Sequence, residues 1–543
     1  MKVHQAIARS LADLGVQQLF GLIGDANLYL VDSYMRDCDG HYTAAVHEAG
    51  AVLMALGWAR VSDQIGVATV THGPALTNTL TALVEGVKTA TPIVLLAGDT
   101  PAADREHAQK VDQRALVEAT GAGFEPLRRP ETLAEDLARA FYRARTEHRP
   151  VVFNMPIEFQ WLDVDYEKPL LRFAETRGVI AASDDMDHAI GMLASARRPV
   201  VVAGRGARAP EAEAAILRFA RRIEAPVATS LRGKGLFVDD PFNLGICGTI
   251  SHSVASETLG ASDCLVVFGA SLNQYTAGLG GLTRDKRIIQ VNPDASQIGR
   301  FTPVDVGLVG DPGLTADAMV KWLDEADIPG SGARSDALRA QLAELHRQAP
   351  AKLVRPTPTG TVDLFELMLT LEQGFDKDRV CVTDTGRFLY GAWPIISVQN
   401  PRDYVDTIGF AAIGLGVGAA IGAAKASGGR PTLLVTGDGG LMLSGMGELA
   451  TAVHEQLDLV VVVCNDRSYG AEYVQFAARD MDPAISFNQW PDFAPVAEAL
   501  GLKALTVTSS EELKSAMAAI AARDRKQPML IDVKLDAASM RRP

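Results

Sequence analysis

The sequence has few cysteines, no excess of basic residues and no cysteine pair spaced for a metal. Its five cysteines are scattered, and none belongs to a CxxC pair. Free thiols of this kind are typical of a reducing cytoplasm, which is the compartment that we expect. The net charge of −14 argues against nucleic acid as a partner, because binding to phosphates needs clustered Lys and Arg.

The chain also lacks a stretch suited to a membrane. Residues 1–8 contain no apolar signal core. The most apolar stretch, from Thr407 to Ala424, is uncharged but holds five glycines. A helix so rich in glycine and alanine spans the hydrocarbon of a bilayer poorly. We therefore expect a tightly packed buried helix there, and no membrane partner.

The sequence does have a repeated alternation of strand and helix patterns over its 543 residues. Short apolar runs bounded by turn residues predict buried strands, and amphipathic runs between them predict helices. This alternation predicts an α/β protein of three doubly wound parallel-sheet domains, at residues 1–170, 188–330 and 362–543. Charged, weakly periodic sequence predicts a linker from Glu167 to Asp187. A second linker, with a polar Ala-rich helix and the turn Pro356-Thr357-Pro358, is predicted from about Asp324 to Thr361.

Two neighbouring predicted strands of the last domain end in acidic residues and glycines. Residues 430–436 run into Gly437-Asp438-Gly439-Gly440, and residues 457–464 run into Asn465-Asp466. The carboxyl ends of parallel strands meet at one edge of a sheet, where ligands bind. Glycines let backbone N–H groups approach a phosphate, while a carboxylate and a second oxygen ligand hold Mg²⁺ against it. The sequence therefore predicts a magnesium-diphosphate site.

This strand–GDG–helix–strand–Asn-Asp unit, followed by Tyr469-Gly470, resembles the thiamine diphosphate motif of the pyruvate decarboxylase and acetohydroxyacid synthase superfamily. The resemblance covers nearly all of the chain in the family's domain order. It implies that thiamine diphosphate and Mg²⁺ bind to the last domain, and that the central domain is Rossmann-like.

The implied metal ligands depend on the alignment of the Asn465-Asp466 pair. Family members usually have Asn-Asn here, with the second Asn on Mg²⁺. Counting forward from Asp438 by the family's spacing reaches Asn465, whereas counting back from Tyr469-Gly470 reaches Asp466. The helix after the GDG carries one residue more than the family pattern, and a turn absorbs an insertion more easily than a buried strand. We therefore expect Asp438, Asp466 and the Ser468 carbonyl as ligands, since carboxylates suit a hard cation.

The first domain resembles the pyrimidine-binding domain of the same superfamily. Its stretch Val46-His47-Glu48-Ala49-Gly50-Ala51 is similar to the family's RHE-x-x-A, which implies that Glu48 is the catalytic glutamate. The carboxyl would bond the cofactor's pyrimidine and assist its activation by proton transfer. The loop with Thr71, His72, Gly73, Pro74 and Asn78 resembles the family's TSGPG-x-x-N. Its Gly73, Pro74 and Asn78 are expected beside the cofactor, and His72, in place of Ser, is either a polar wall of the active site or a loop histidine.

Two further residues are candidates for the substrate side. Asp25, in Gly24-Asp25-Ala26-Asn27, resembles the aspartate that works in proton transfer in 2-oxo acid decarboxylases. Those decarboxylases also carry a His-His pair. This chain instead has His107-Ala108-Gln109, which is closer to the Phe-Gln-Glu of acetohydroxyacid synthases. Gln109 is thus a candidate substrate-side residue, with an exposed polar loop as the alternative.

Other parts of the last domain complete the implied cofactor site. By the same resemblance, Thr385 and Gly386 reach toward the ring and the phosphate. Ile413 takes the place of the apolar residue that props the cofactor into a V. Tyr469 and Gly470 line the substrate side.

The central domain has a glycine turn, Gly204-x-Gly206, directly after a predicted strand. A single turn of this kind is a weak match to a nucleotide phosphate cradle. In the family this domain binds FAD, ADP or nothing. The FAD segment of the synthases contains an Arg-Phe-Asp-Asp-Arg run that residues 269–275 lack. We expect no FAD, and an FAD-dependent oxidase stays an alternative.

The resemblance implies an enzyme that removes CO₂ from a 2-oxo acid and joins the remainder to an aldehyde or ketone acceptor, as acetolactate synthase does. Non-oxidative decarboxylation and cleavage of a 2-hydroxyketone are the alternatives, and a catalytically silent protein of this fold is the alternative from another class. In the family the domain with the glutamate meets the domain with the GDG across subunits. We therefore expect a homodimer or homotetramer.

Overall fold

The computed structural model describes residues 1–173 and 178–540, and its named strands form three six-stranded sheets. Within these described residues every pairing inside the three sheets is parallel. Most successive strands are connected by helices, which are the usual crossover between parallel strands. The predicted α/β class with three parallel sheets is confirmed.

The first sheet has the strand order β2-β1-β3-β4-β6-β5. Its strands are short and mostly buried on both faces, because helices cover each side. The elements are β1 Gln18–Gly21, β2 His41–Ala44, β3 Gly66–Val70, β4 Ile93–Asp99, β5 Gly123–Pro126 and β6 Val151–Pro156, with α1 Val3–Asp13, α2 Leu28–Arg36, α3 Glu48–Ser62, α4 Pro74–Thr77, α5 Leu80–Lys88, α6 Gln113–Thr120 and α7 Leu133–Glu147.

The central sheet has the order β12-β11-β10-β7-β8-β9, which is the Rossmann arrangement. Its elements are β7 Pro199–Ala203, β8 Val227–Thr229, β9 Asn243–Ile246, β10 Cys264–Phe268, β11 Arg287–Asn292 and β12 Val306–Val309, with α8 Ser183–Ala194, α9 Pro210–Arg222, α10 Ser253–Ala261, α11 Pro312–Glu325 and α12 Asp336–Leu353. Helix α8 begins inside the predicted linker Glu167 to Asp187, because Asp184 and Asp185 favour a first helical turn. Residues 174–177 of that linker lie outside the described residues.

The third sheet, β14-β13-β15-β16-β18-β17, repeats the order of the first. Its elements are β13 Val380–Thr383, β14 Tyr404–Asp406, β15 Thr432–Gly437, β16 Leu459–Asn465, β17 Lys503–Val507 and β18 Met529–Lys534, with α13 Leu364–Gly374, α14 Leu389–Ile395, α15 Gly416–Ala426, α16 Asp438–Gly440, α17 Leu449–His454, α18 Gly470–Ala477, α19 Phe493–Ala499 and α20 Ser510–Ala521. The first and third domains are therefore two copies of one topology.

One hydrophobic core is shared by these two domains, with α3 packed on α15. A Cβ added at Gly57 would lie 2.0 Å from the Ala419 carbonyl oxygen, and one at Gly422 would lie 1.8 Å from that of Met54. These glycines let the two backbones touch. The predicted buried helix is confirmed over α15, whereas the residues from Thr407 to Leu415 form an irregular loop before it. No helix of the described chain is long and apolar enough to cross a membrane.

Candidate active site

The acidic residues of the third domain lie at the carboxyl edge of its sheet. Strand β15 ends at Gly437 and α16 begins at Asp438, while the neighbouring β16 ends at Asn465, directly before Asp466. Parallel register aligns Gly437 with Cys464. The two predicted metal-binding aspartates therefore follow adjacent strands.

Asp438 is buried and lacks a neutralising charge. It is 3% exposed, and its Oδ2 has no hydrogen-bond partner among the described residues. Burial, and next the negative charge of Asp466, raise its pKa to about 7. The backbone N–H groups of Gly439 and Arg467 oppose that shift. A buried carboxylate beside a second carboxylate is stable only with a compensating cation or proton.

The two residues of the Asn465-Asp466 pair form hydrogen bonds with different partners. The side-chain nitrogen of Asn465 donates to Asp532 Oδ1 on β18 at 2.8 Å. The carboxylate of Asp466 accepts from the backbone N and the hydroxyl of Ser468, both at 2.9 Å, and its charge acts on Asp438. This arrangement supports Asp466 as the residue paired with Asp438.

The helix after the GDG is wider than an α-helix. Directly after α16 the chain forms a π-helical turn over Leu441–Gly445. A π-turn closes i→i+5 hydrogen bonds and so takes in one residue more than an α-turn, and such turns occur frequently at functional sites. The extra residue that the sequence indicates at this position fits the π-turn.

Three of the predicted cofactor residues meet around Gly439. A Cβ there would lie 2.9 Å from the Tyr469 ring and 3.9 Å from Ile413 Cδ1. Gly440 is equally restricted, since its Cβ would lie 2.7 Å from Asp384 Oδ2. Only glycine leaves this edge open between the Ile413 loop and Tyr469.

Asp384 joins several segments at this edge by hydrogen bonds, although it was not predicted from the sequence as a site residue. Its buried carboxylate accepts from Gly414 N at 3.0 Å, from the Thr436 hydroxyl at 3.0 Å and from Thr385 N at 2.8 Å. It thereby joins the predicted Thr385-Gly386 turn to the loop that carries Ile413. The only sequence signal is an acid directly after a buried strand.

Arg387 is a second residue that the sequence did not mark. A Cβ on Gly470 would lie 2.5 Å from its Cδ, and the guanidinium interacts with the charge of Asp466. Its Nε and Nη1 are buried without a hydrogen-bond partner in the described part of the chain. Arg387 therefore adds positive charge to the acidic edge.

Glu48 lies at the carboxyl edge of the first sheet, as the first residue of α3. It is half-buried, and its Oε2 accepts from the Asn78 side chain at 2.9 Å. Asn78 follows α4, which begins at Pro74. The N-terminal turns of α3 and α15 touch, since a Cβ on Gly418 would lie 3.3 Å from the Gly50 carbonyl oxygen. The first turn of α3, which begins at Glu48, thus lies against the first turn of the third domain's buried helix.

The loop before Pro74 brings Gln109 to the same edge. Gly73 has a φ of +59°, and a Cβ there would lie 2.3 Å from the Gln109 carbonyl oxygen. The backbone N of Gly73 donates to Gln113 Oε1 at 2.8 Å. Gln109 is half-buried here, through its backbone contact with Gly73.

Asp25, His72 and His107 form a cluster on this edge. The carboxylate of Asp25 accepts from the Thr71 hydroxyl at 2.7 Å and lies 3.6 Å from His72 Nε2. The His72 ring is fully buried, and neither of its nitrogens has a hydrogen-bond partner among the described residues. His107 stands edge-on to it at 5.3 Å between ring centroids. The sequence predicted Asp25 and His72 but missed His107, because its loop is far away along the chain.

In the central domain, the backbone of another turn of the same chain packs against the glycine turn Gly204-x-Gly206. A Cβ on Gly204 would lie 2.6 Å from the Gly269 carbonyl oxygen, and one on Gly206 would lie 2.8 Å from Gly269 Cα. These glycines allow the turns after β7 and β10 to pack against each other. Chain packing thus accounts for both of them.

Comparison with known proteins assigns each domain. The family models described as thiamine pyrophosphate enzyme N-terminal TPP binding domain, central domain and C-terminal TPP binding domain match residues 1–116, 186–319 and 384–533. The two TPP binding matches contain Glu48 and Asp438, respectively.

Three relatives align over nearly the whole chain. A probable acetolactate synthase large subunit of Methanocaldococcus jannaschii is 27% identical over 99% of this chain and 92% of its own length. A probable 2-ketoarginine decarboxylase of Pseudomonas aeruginosa is 30% identical over 94% and 90%. A sulfoacetaldehyde acetyltransferase of Castellaniella defragrans is 27% identical over 95% and 90%. The activities in the names of these three relatives differ.

Proposed function

Because the chain belongs to the thiamine diphosphate-dependent enzymes of the acetolactate synthase superfamily, we propose that it removes CO₂ from a 2-oxo acid. When bound, thiamine diphosphate supplies the nucleophilic carbon and accepts the electron pair that CO₂ leaves behind. The observation that carries the proposal is that Asp25, Glu48 and His72, which are groups able to hold and move protons, follow the adjacent strands β1, β2 and β3 at one edge of the first sheet.

The third domain has the donors that a metal-diphosphate group needs. We assign Mg²⁺ to Asp438, Asp466 and the Ser468 carbonyl, and the diphosphate to the N–H groups of the glycine turn Gly437-Gly440. The unpartnered Oδ2 of Asp438 and its raised pKa fit a divalent cation. No cluster of three or more His, Cys, Asp or Glu side chains suited to a metal occurs in the described chain. Such a sparse set suits Mg²⁺, which keeps waters and phosphate oxygens as ligands.

Glu48 is the residue that we assign to activation of the cofactor. Asn78 donates to Oε2 at 2.9 Å and so orients the carboxyl group, which would leave Oε1 to exchange a proton with the cofactor's pyrimidine ring. Orientation of this kind is the usual requirement for a general acid or base.

The step after CO₂ loss distinguishes two candidate functions. Asp25 and His72, 3.6 Å apart with His107 beside them, are suited to deliver a proton, which releases an aldehyde. This geometry favours a non-oxidative 2-oxo acid decarboxylase, and the relative named as a probable 2-ketoarginine decarboxylase supports it.

Ligation to a second carbonyl compound is the other candidate. The position of Gln109 against Gly73 supports it, together with relatives named as acetolactate synthase and acetyltransferase. Both candidates share the first step and differ only in whether a proton or an aldehyde or ketone acceptor captures the product of decarboxylation.

We also propose a homodimer or homotetramer. Apolar side chains are exposed around the acidic edge of the third domain, including Leu443 at 64% and Ile485 at 79%, and α18 contains no buried residue. Exposed apolar patches of this kind mark association sites.

Analytical ultracentrifugation measures the oligomeric state. Activity regained on mixing Glu48→Gln with Asp438→Asn subunits would show that a site is shared between chains, and no regain would place each site within one chain.

The test is a panel of 2-oxo acids with thiamine diphosphate and Mg²⁺, with CO₂, aldehyde and acyloin measured separately. Release of CO₂ with an equimolar amount of aldehyde supports the decarboxylase. Release of CO₂ with formation of an acyloin or acetohydroxyacid supports ligation to a second carbonyl compound. Cleavage of 2-hydroxyketones without CO₂ loss from any acid, or a flavin absorption band with oxidase activity, would overturn the proposal.

A further inference from the structure

Glu448, in the third domain, binds the backbone that leads into Glu48. Its Oε1 accepts from His47 N at 2.9 Å and from Val46 N at 3.1 Å, which are 401 and 402 positions away in the sequence. The carboxyl group is 2% exposed. Gly50 makes room for it, since a Cβ there would lie 2.0 Å from Oε1.

Glu85, in the first domain, in turn binds the backbone of a loop of the third domain. Its two oxygens accept from Gly409 N at 3.0 Å and from Phe410 N at 2.6 Å, at the start of the loop that carries Ile413. It is also 2% exposed, and a Cβ on Gly409 would lie 2.9 Å from its Oε1. The far end of the same loop is held by Asp384 through Gly414 N.

The two contacts are related by the repeated topology. Glu448 follows the third strand of its domain, β15, and binds the loop after β2. Glu85 follows β3, the third strand of the other copy, and binds the loop after β14. Each glutamate thus accepts from two consecutive N–H groups of the loop after the second strand of the other domain.

Burial of an ionised carboxylate is unfavourable unless it receives strong hydrogen bonds. Two backbone N–H groups on one carboxylate are charge-assisted bonds with a defined direction, so they fix the backbone more closely than apolar packing does. Burial raises the pKa of both carboxyl groups, while the bound N–H groups act against that shift.

We infer that Glu448 and Glu85 are reciprocal positioning residues, Glu448 for the Glu48 loop and Glu85 for the Ile413 loop. This inference rests on the proposed function for its catalytic meaning, because the two loops carry the activating carboxyl and the apolar prop. The contacts themselves stand without it.

Hydrogen–deuterium exchange on the cofactor-free chain tests the contacts directly. Glu448→Gln should speed exchange at Val46 and His47 by about 10-fold or more, because a charge-assisted bond is lost, and should leave Gly409 and Phe410 unchanged. Glu85→Gln should give the mirror result, with faster exchange only at Gly409 and Phe410.

Matched controls separate positioning from general loosening. Glu455→Gln removes a carboxylate of the third domain that pairs with Lys425, and Glu118→Gln removes one of the first domain that pairs with Arg114. Neither should change exchange in the two loops. Equal acceleration of both loops by either Glu448→Gln or Glu85→Gln would overturn the inference, because it would indicate global destabilisation.

Gly50→Ala provides a second route if Glu448→Gln does not fold. It keeps the charge of Glu448 but places a methyl where Oε1 now lies. The amides of Val46 and His47 should again exchange faster. Unchanged exchange in a folded Gly50→Ala protein would contradict the role of Glu448.

Kinetics on the loaded enzyme show whether positioning matters for turnover. Glu448→Gln should lower kcat by about 100-fold with little change in KM, because a displacement near 1 Å at a reacting group costs about that factor. Glu448→Asp, which keeps the charge, should recover part of the loss. Altered exchange in a chain without turnover on any substrate would refute the proposed function alone, whereas full turnover with unaltered exchange would refute the positioning role alone.

Discussion

The first and third domains share one strand order but hold different chemistry at the same edge. After the third strand of the first domain the chain carries His72 and Gly73, and after the third strand of the third domain it carries Asp438 and Gly439. The first edge gathers groups that are suited to exchange protons, and the other gathers two carboxylates, Asp438 and Asp466, that interact electrostatically. Topology therefore places residues at a site, while side-chain identity decides what the site does.

The difference is sharpest for the two acids. Glu48 is half-exposed and held by an amide, which suits a residue that must exchange a proton. Asp438 is buried against Asp466, which suits a residue that must bind a cation. The proposed reaction would need both, so we expect the first and third domains to be complementary rather than redundant.

The largest expected effect comes from Glu48→Gln. We expect turnover to fall by about 10³-fold, because general acid–base assistance contributes factors of about 10²–10⁴, while thiamine diphosphate still binds. Steady-state CO₂ release measures the change. A near-normal rate would mean that another group activates the cofactor.

The next effect separates the two candidate metal ligands. Asp466→Ala should raise the Mg²⁺ concentration needed for half-maximal activity by at least about tenfold, which corresponds to about 1.4 kcal/mol. Asn465→Ala is the matched control, because its nitrogen is bonded to Asp532. A larger shift for Asn465→Ala would reverse the assignment.

A further effect, on a single step of the reaction, concerns the cluster that we propose delivers a proton. His72→Gln should slow aldehyde release in a single turnover by about 10²-fold while CO₂ release is kept, because only proton delivery is lost. His188→Gln, at an exposed position of α8, is the control. Equal slowing of CO₂ and aldehyde would assign His72 to an earlier step.

The last effect is on folding stability and tests how the third domain is joined to the other two. Asp406, at the end of β14, bonds Arg60 of the first domain at 2.9 Å and Arg232 of the central domain at 3.1 Å. Burial alone would raise the pKa of Asp406, but the two guanidinium groups outweigh it and hold that pKa well below its usual range. The bonds therefore stabilise the fold fully above about pH 4, the unfolded value, and that stability is lost as the pH falls toward the lower folded value.

Asp406→Asn should accordingly destabilise the protein by about 3 kcal/mol at pH 7, as expected when one partner of a buried pair is removed. The difference from the parent should shrink below about pH 4. Thermal unfolding at several pH values measures it, and a difference that grows in acid would contradict the charge pairing.

The sequence was sufficient for features that local pattern determines. Apolar runs ending in Gly437-Asp438 and in Asn465-Asp466 predicted adjacent strands and an acidic edge, because strand ends in a parallel sheet coincide. Glycine and alanine content predicted the buried helix α15, since close backbone contact needs small residues.

Contacts between distant segments could not be predicted in this way. In the sequence, Glu448 is an ordinary acidic residue of a predicted helix. Only the structure shows that its carboxylate accepts a hydrogen bond from the backbone N of Val46, 402 positions away. His107 and Asp384 likewise gain their meaning from partners that neither spacing nor periodicity connects to them. Side-chain direction and loop path depend on packing between domains, which a single sequence does not display.

The central claim is that the third domain binds the cation and the first domain transfers the proton. Calorimetric titration of thiamine diphosphate in the presence of Mg²⁺ tests this claim most directly. Asp438→Asn should weaken cofactor binding by at least about tenfold, a loss of about 1.4 kcal/mol, whereas Glu48→Gln should bind like the parent and yet not turn over. Equal weakening in both variants, or the reverse ranking, would contradict the assignment of cation binding to the third domain and proton transfer to the first.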